Sequence, residues 1–204
     1  MTAFPRYFFT LIFALMLASP VFAQSPNEKI EIMKTDITSV QNFNAEMVTV
    51  YGVSLGMLQH EALEILRKND NLFVKIDNYN EYRVYVYDKN EEGERNEPIL
   101  YYIWEKGATG LKMITFFTPS VEYLVGNTKD LLSLQTLDSN SGICKEFLGK
   151  CNYQKVTLDI PSIEMKHTAF YFVERGLKVT KRTDEGTSDV VFCIYRDDLS
   201  TSMK

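Results

Sequence analysis

Apolar residues recur at helical spacing in Tyr51–Lys68: Leu55, Leu58, Ala62, Ile65 and Leu66 share one sector of a helical wheel, with His60, Glu61, Glu64, Arg67 and Lys68 opposite. The pattern predicts an amphipathic helix that begins at Ser54 or Gly56 and stops at Asn69-Asp70-Asn71. From Asn71 the period falls to two. Tyr82, Val84 and Val86 alternate with Arg83, Tyr85 and Tyr87, which predicts a strand with one buried face. Ile99–Glu105 and Leu111–Thr118 flank a glycine-containing turn and predict a hairpin, whereas Asp88–Pro98 is charged and reads as a solvated loop. Helical spacing returns after Pro119, with Thr128 as N-cap before Leu131, Leu132 and Leu134, and a further helix follows over Asp138–Leu148. The remainder predicts strands at Lys155–Ile160, Thr168–Glu174, Leu177–Arg182 and Asp189–Arg196.

This order predicts an α+β fold, with helices packed on one face of an antiparallel sheet. Two internal likenesses divide it into tandem helix-plus-strand repeats over 48–119 and 120–197. Gly56–Leu63 answers Gly126–Ser133, and Leu100–Gly107, LYYIWEKG, answers Ala169–Gly176, AFYFVERG, with Tyr102 set against Tyr171. Residues 24–47 are polar and read as a flexible leader, and 198–204 as a frayed tail.

The N-terminus adds a compartment. Arg6 precedes an apolar run from Tyr7 to Leu17, then Pro20 and Val21-Phe22-Ala23, the arrangement of a cleavable secretory signal over 1–23 cut before Gln24. Export leads to a periplasmic or secreted location, and no later segment is long and apolar enough to span a bilayer. The formal charge is −5, from 22 basic and 27 acidic residues, and loss of Arg6 makes it −6. A mildly acidic chain without a basic stripe argues against nucleic acid or anionic membrane as partner.

Three cysteines enter that compartment. Cys144 and Cys151 enclose KEFLGK and are the candidate disulfide, while the two other pairings with Cys193 and three reduced thiols stay open. Neither His60 nor His167 has zinc-ligand spacing to the cysteines, so no metal or other cofactor is expected. Nucleophile elbows, phosphate loops and dinucleotide fingerprints are missing, His60 lies on the polar side of its helix, and a non-catalytic role is expected. The strands are instead rich in aromatic residues, half of which must alternate outward. Tyr85, Tyr102 and Trp104 are the candidate binding residues, because outward tyrosine and tryptophan supply contact area with few rotors.

Val53, Gly56, Met57, Glu61 and Leu66 carry a phrase that resembles the opening of the SmpA/OmlA (BamE-like) envelope domains and of the beta-lactamase inhibitor protein (BLIP)-like repeats. Leu58 stands where those families have a hydroxyl cap, Asn127 where the second copy would have methionine, and no lipid-bearing cysteine follows the signal. The resemblance implies a helix followed by a strand meander and a role in protein interaction, without catalytic residues. The expected function is thus an exported protein-binding module of the bacterial envelope, an assembly accessory or inhibitor-like, with an envelope or secreted protein as partner. The alternative is a carrier that holds a small apolar ligand on a curved aromatic sheet.

Overall fold

Period-two alternation, more than the helical stripe, sets the architecture of the computed structural model, which describes residues 29–40, 42–78, 81–90, 93–94, 97–106, 109–132 and 153–196. The predicted signal, the candidate Cys144–Cys151 bridge, the helix expected over 138–148 and the tail lie outside the described residues.

Three short strands come first, β1 (Ile30–Glu31), β2 (Val48–Val50) and β3 (Val53–Ser54), followed by α1 (Gln59–Arg67). A first meander comprises β4 (Leu72–Asp77), β5 (Tyr82–Asn90) with the two-residue β6 (Gly93–Glu94) paired to it, β7 (Leu100–Trp104) and β8 (Met113–Phe116). After α2 (Asn127–Leu131), a second meander comprises β9 (Gln154–Ile160), β10 (Met165–Phe172), β11 (Leu177–Asp184) and β12 (Thr187–Tyr195). The last strands of the two meanders pair antiparallel, so the main sheet runs β4-β5-β7-β8-β12-β11-β10-β9, while β1-β2-β3 form a separate small sheet.

Residues directly opposite in a ladder share a face. On one face the registers align Val84, Tyr102, Ile114, Ile194, Leu177 and Phe172 in a row across six strands, with Val86, Leu100, Phe116, Phe192, Val179 and Phe170 beside it. All twelve are buried and belong to one core cluster.

The expected α+β arrangement is corrected here. The fold is mostly β, and the helices do not pack on a sheet face. Lengths explain why: nine residues of α1 reach about 13 Å, whereas eight strands span about 34 Å. Only Ala62 and Leu66 of its stripe are buried, Leu58 is exposed, and α1 meets β3 and β4 at the sheet's end. Nor do Ser54 or Gly56 cap it. Leu58 is the N-cap, and Glu61 reaches back to accept from the Leu58 N–H at 3.2 Å, half of a capping box.

What packs with the core face is the chain ahead of α1. Where a flexible leader was expected, Ile30, Ile32, Ile37, Phe43 and Ala45 are buried, joined by Val48, Val50 and Val53. This segment is fastened along its length. Tyr102 Oη donates to Val50 O at 2.7 Å, Trp104 Nε1 donates to Met57 O at 3.0 Å, and Gly56 and Met57 exchange backbone hydrogen bonds with Leu111. Farther out, Arg175 Nη1 donates to Phe43 O at 2.8 Å, which ties the segment to the turn between β10 and β11.

Asp36 makes the other fastening. Its carboxylate accepts from Asn127 N–H at 2.7 Å, Thr128 Oγ1 at 2.9 Å, and Thr38 N–H and Oγ1 at 3.0 and 2.7 Å. Thr128 therefore does not cap α2, which starts after Gly126; its hydroxyl links Asp36 to the Ile37 N–H. Burial pushes the Asp36 carboxyl up, but the hydrogen bonds from Thr38, Asn127 and Thr128 together outweigh it and hold the pKa below its ordinary value. A depressed folded-state pKa gives stability that is present above the unfolded value of about 3.9 and lost as pH falls through the folded value. Asp36→Ala is expected to cost about 1–2 kcal/mol near neutral pH. The gap from wild type should close as urea unfolding is repeated below pH 4, whereas a gap independent of pH would contradict this role.

The two textual likenesses fare differently in the sheet. Gly56 and Gly126 both take positive φ, at 82° and 56°, shortly before a helix. LYYIWEKG and AFYFVERG, by contrast, fall on β7 and β10, the third strand of one meander and the second of the other, so the strand equivalent to β7 by position is β11.

Candidate functional site

The second face of the main sheet carries the intervening residues, and no described helix covers it. Its central row, from the same registers, is Tyr85, Tyr101, Thr115, Cys193, Lys178 and Tyr171. Thr115 and Cys193 are short and buried, with Thr115 Oγ1 and Cys193 Sγ 3.6 Å apart, and form the floor between half-buried long side chains. The buried residues of this face, among them Ile103, Ala169, Val191 and Cys193, are not part of the core cluster.

Aromatic rings cluster on the first-meander half. Tyr85 and Tyr101 lie 5.4 Å apart between centroids, Tyr101 and Phe117 5.2 Å, and the Arg83 guanidinium stands 5.7 Å over the Tyr101 ring. Phe73 and Tyr87 pair at 5.8 Å toward the β4 edge. Charges are held by local partners. Arg83 Nη2 donates to Glu81 at 2.9 Å, Arg182 grips both oxygens of Asp189 at 3.0 and 2.5 Å, His167 Nε2 lies 2.8 Å from Asp184, and Lys178 stands 5.2 Å over the Tyr171 ring.

These contacts set the protonation states. The Tyr85 hydroxyl and then Glu81 raise the Arg83 pKa, and Asp189 raises that of Arg182, so both guanidiniums stay charged. Burial pushes up the Tyr101 hydroxyl and the Cys193 thiol. Cys193 is therefore a neutral thiol at physiological pH and a poor nucleophile.

The three predicted binding residues separate. Tyr85 lies on the open face. Tyr102 and Trp104 lie on the core face, 0% and 3% exposed, with their polar atoms occupied by Val50 O and Met57 O. Burial also lifts the Tyr102 hydroxyl pKa well above the usual range. Tyr102→Phe would remove this buried hydrogen bond, so we expect a loss of about 1 kcal/mol in urea unfolding, with partner binding unchanged. The residues not singled out from sequence are Arg83, Tyr101, Phe117, Tyr171 and Lys178. The signal for Arg83 was present in the β5 alternation that separates Arg83 and Tyr85 from Val84 and Val86.

A separate cleft of about 520 Å³ lies at the N-terminal end of α1, lined by Leu58, Gln59, His60, Tyr82, Trp104 and Lys106 among others. His60 is exposed there, and Gln59 Nε2 is buried without a hydrogen-bond partner among the described residues. Among the described residues no three His, Cys, Asp or Glu side chains converge as a metal site would require. Comparison with family models, curated proteins and solved structures finds no match. The open sheet face and the cleft are therefore read from their chemistry alone.

Proposed function

We propose that this chain is an exported, non-catalytic protein-binding module of the bacterial cell envelope, an assembly accessory or inhibitor-like, and that its partner docks on the sheet face that no described helix covers. One observation carries the reading: the Arg83, Tyr85, Tyr101 and Phe117 cluster is outside the core, half-buried and fixed by stacking and hydrogen bonds. Arginine and tyrosine held rigid before binding lose little entropy on association and dominate the energetics of protein interfaces. The N-terminal signal pattern supports a periplasmic or secreted location. No helix among the described residues is long and apolar enough to cross a membrane. Cross-linking in the native envelope followed by mass spectrometry tests the reading, with partner peptides expected on Lys75 and Lys178, which share this face.

The cleft beside Trp104 favours the second reading, a carrier for a small apolar ligand, since its volume is in the range of small-molecule sites. Native mass spectrometry of the chain purified from the envelope separates the two. A co-purifying small molecule without any protein cross-link would replace the first reading with the second.

A further inference from the structure

The main sheet ends on β9, whose residues Gln154 to Asp159 are all exposed, including Val156 at 53% and Leu158 at 49%. Among the described residues no strand pairs with its outer edge. The other end, β4, is flanked by α1 and buries Leu72. Natural edges are blunted by proline, bulges, brevity or an inward charge, because an open row of N–H and C=O groups pairs with any strand that fits. β9 runs seven residues without glycine or proline and pairs one-to-one with β10 throughout, with no bulge; its only blunting devices are the charges of Lys155 and Asp159, which a strand carrying the opposite charges in register would neutralise.

The strand is complementary to itself. Read antiparallel about Thr157, the sequence QKVTLDI sets Lys155 opposite Asp159 and Val156 opposite Leu158, each twice by symmetry, with Thr157 opposite its own copy. The faces agree as well. Lys155 and Asp159 lie on the side of Phe170, where Lys155 Nζ stands 5.6 Å over the Phe170 ring and Asp159 is 3.9 Å from Lys166. Val156 and Leu158 lie on the open face, opposite Ala169 and His167 of β10. Opposite charges and apolar pairs directly across two strands are the favourable cross-strand combinations, and an isologous two-fold uses each of them twice.

We propose that two copies of this chain join through β9, antiparallel about Thr157, to form one continuous sheet across both protomers. The occupant is a second copy because the charge order of β9 matches its own reversal. The inference goes beyond the proposed partner binding and stands independently of it. In the joined sheet each exposed Val156 packs beside Leu158 of the other copy, and the two open faces continue into each other.

Sedimentation of the full chain as purified from the cell, across micromolar concentrations, tests this. Wild type is expected to reach the mass of two chains. Lys155→Asp, which sets one acid opposite Asp159 of the other copy in each of the two symmetric pairs, is expected to weaken the dimer about tenfold, and Lys155→Asp with Asp159→Lys to restore it. Circular dichroism of each variant establishes that the fold is retained. Independently, Thr157→Cys is expected to give a reducible two-chain species, because only this residue meets itself, while Ile163→Cys, also exposed, gives none. A wild type that stays at one chain, a dimer indifferent to the charge reversal, or no cross-link at position 157 would each overturn the proposal.

Discussion

Gly176→Ala is expected to lower the unfolding free energy by about 2–5 kcal/mol, enough to unfold a marginal domain of this size. Gly176 follows the turn after β10 with φ +63°, a conformation that costs an L-residue about 1–2 kcal/mol. A methyl there would also stand 2.5 Å from Tyr195 O and 2.6 Å from Ala45 Cβ. The first of these is backbone in β12, so relief requires the sheet or the N-terminal segment to move, an overpacking cost of about 1–3 kcal/mol. Gly186 provides the matched control. It has φ +81° in the β11–β12 turn, with nothing within 4 Å of an added Cβ. Gly186→Ala should therefore show the conformational part alone, about 1–2 kcal/mol. Equal losses for the two variants in urea unfolding would mean that the N-terminal segment does not pack against this turn.

The second large effect falls on binding. Arg83→Ala and Tyr101→Ala are each expected to weaken partner affinity by at least about 30-fold, the effect of losing an interface anchor of 2 kcal/mol or more. Both remove the cation and ring that stack on each other, so the double variant should lose less than the product of the singles. Glu64→Ala and Lys68→Ala, an exposed pair on α1 away from the sheet face, should leave affinity unchanged. Titration of the partner recovered by cross-linking against these variants reads all of this directly. Losses confined to substitutions of Leu58 and Gln59 would move the binding site to the cleft.

Legibility followed the clarity of the alternation. β5 shows a clean exchange of Val84 and Val86 with Arg83 and Tyr85, and from it Tyr85 was placed outward. β7 reads Leu-Tyr-Tyr-Ile-Trp with no polar residue, so its parity is set only by the register Tyr85 to Tyr101 and Val84 to Tyr102. Between these strands lies the charged stretch 88–98, which reads as a loop although β5 runs on to Asn90 and β6 pairs with it, so nothing in the sequence carries the register of β7, and Tyr102 and Trp104 read as outward in consequence. In the second meander the strands are long and joined by short turns, and the expected strands match β9 to β12 within three residues at each end. The N-terminal strands are two or three residues long, too short for any period, so the segment that packs with the core read as a leader. The helical stripe was real but small. Two buried positions on a nine-residue helix anchor the sheet's end and do not back its face.

If a protein docks on the sheet face that no described helix covers, site-specific photocross-linking will capture it there. A photoreactive residue is placed in living cells at Tyr85 and at Tyr171, on the two halves of that face, and at Glu64 on α1 as control. Discrete protein adducts are expected from positions 85 and 171, with the same partner identified in both, and none from 64. Adducts from 64 alone, or no adduct at 85 and 171 in a folded and exported chain, would contradict docking on that face.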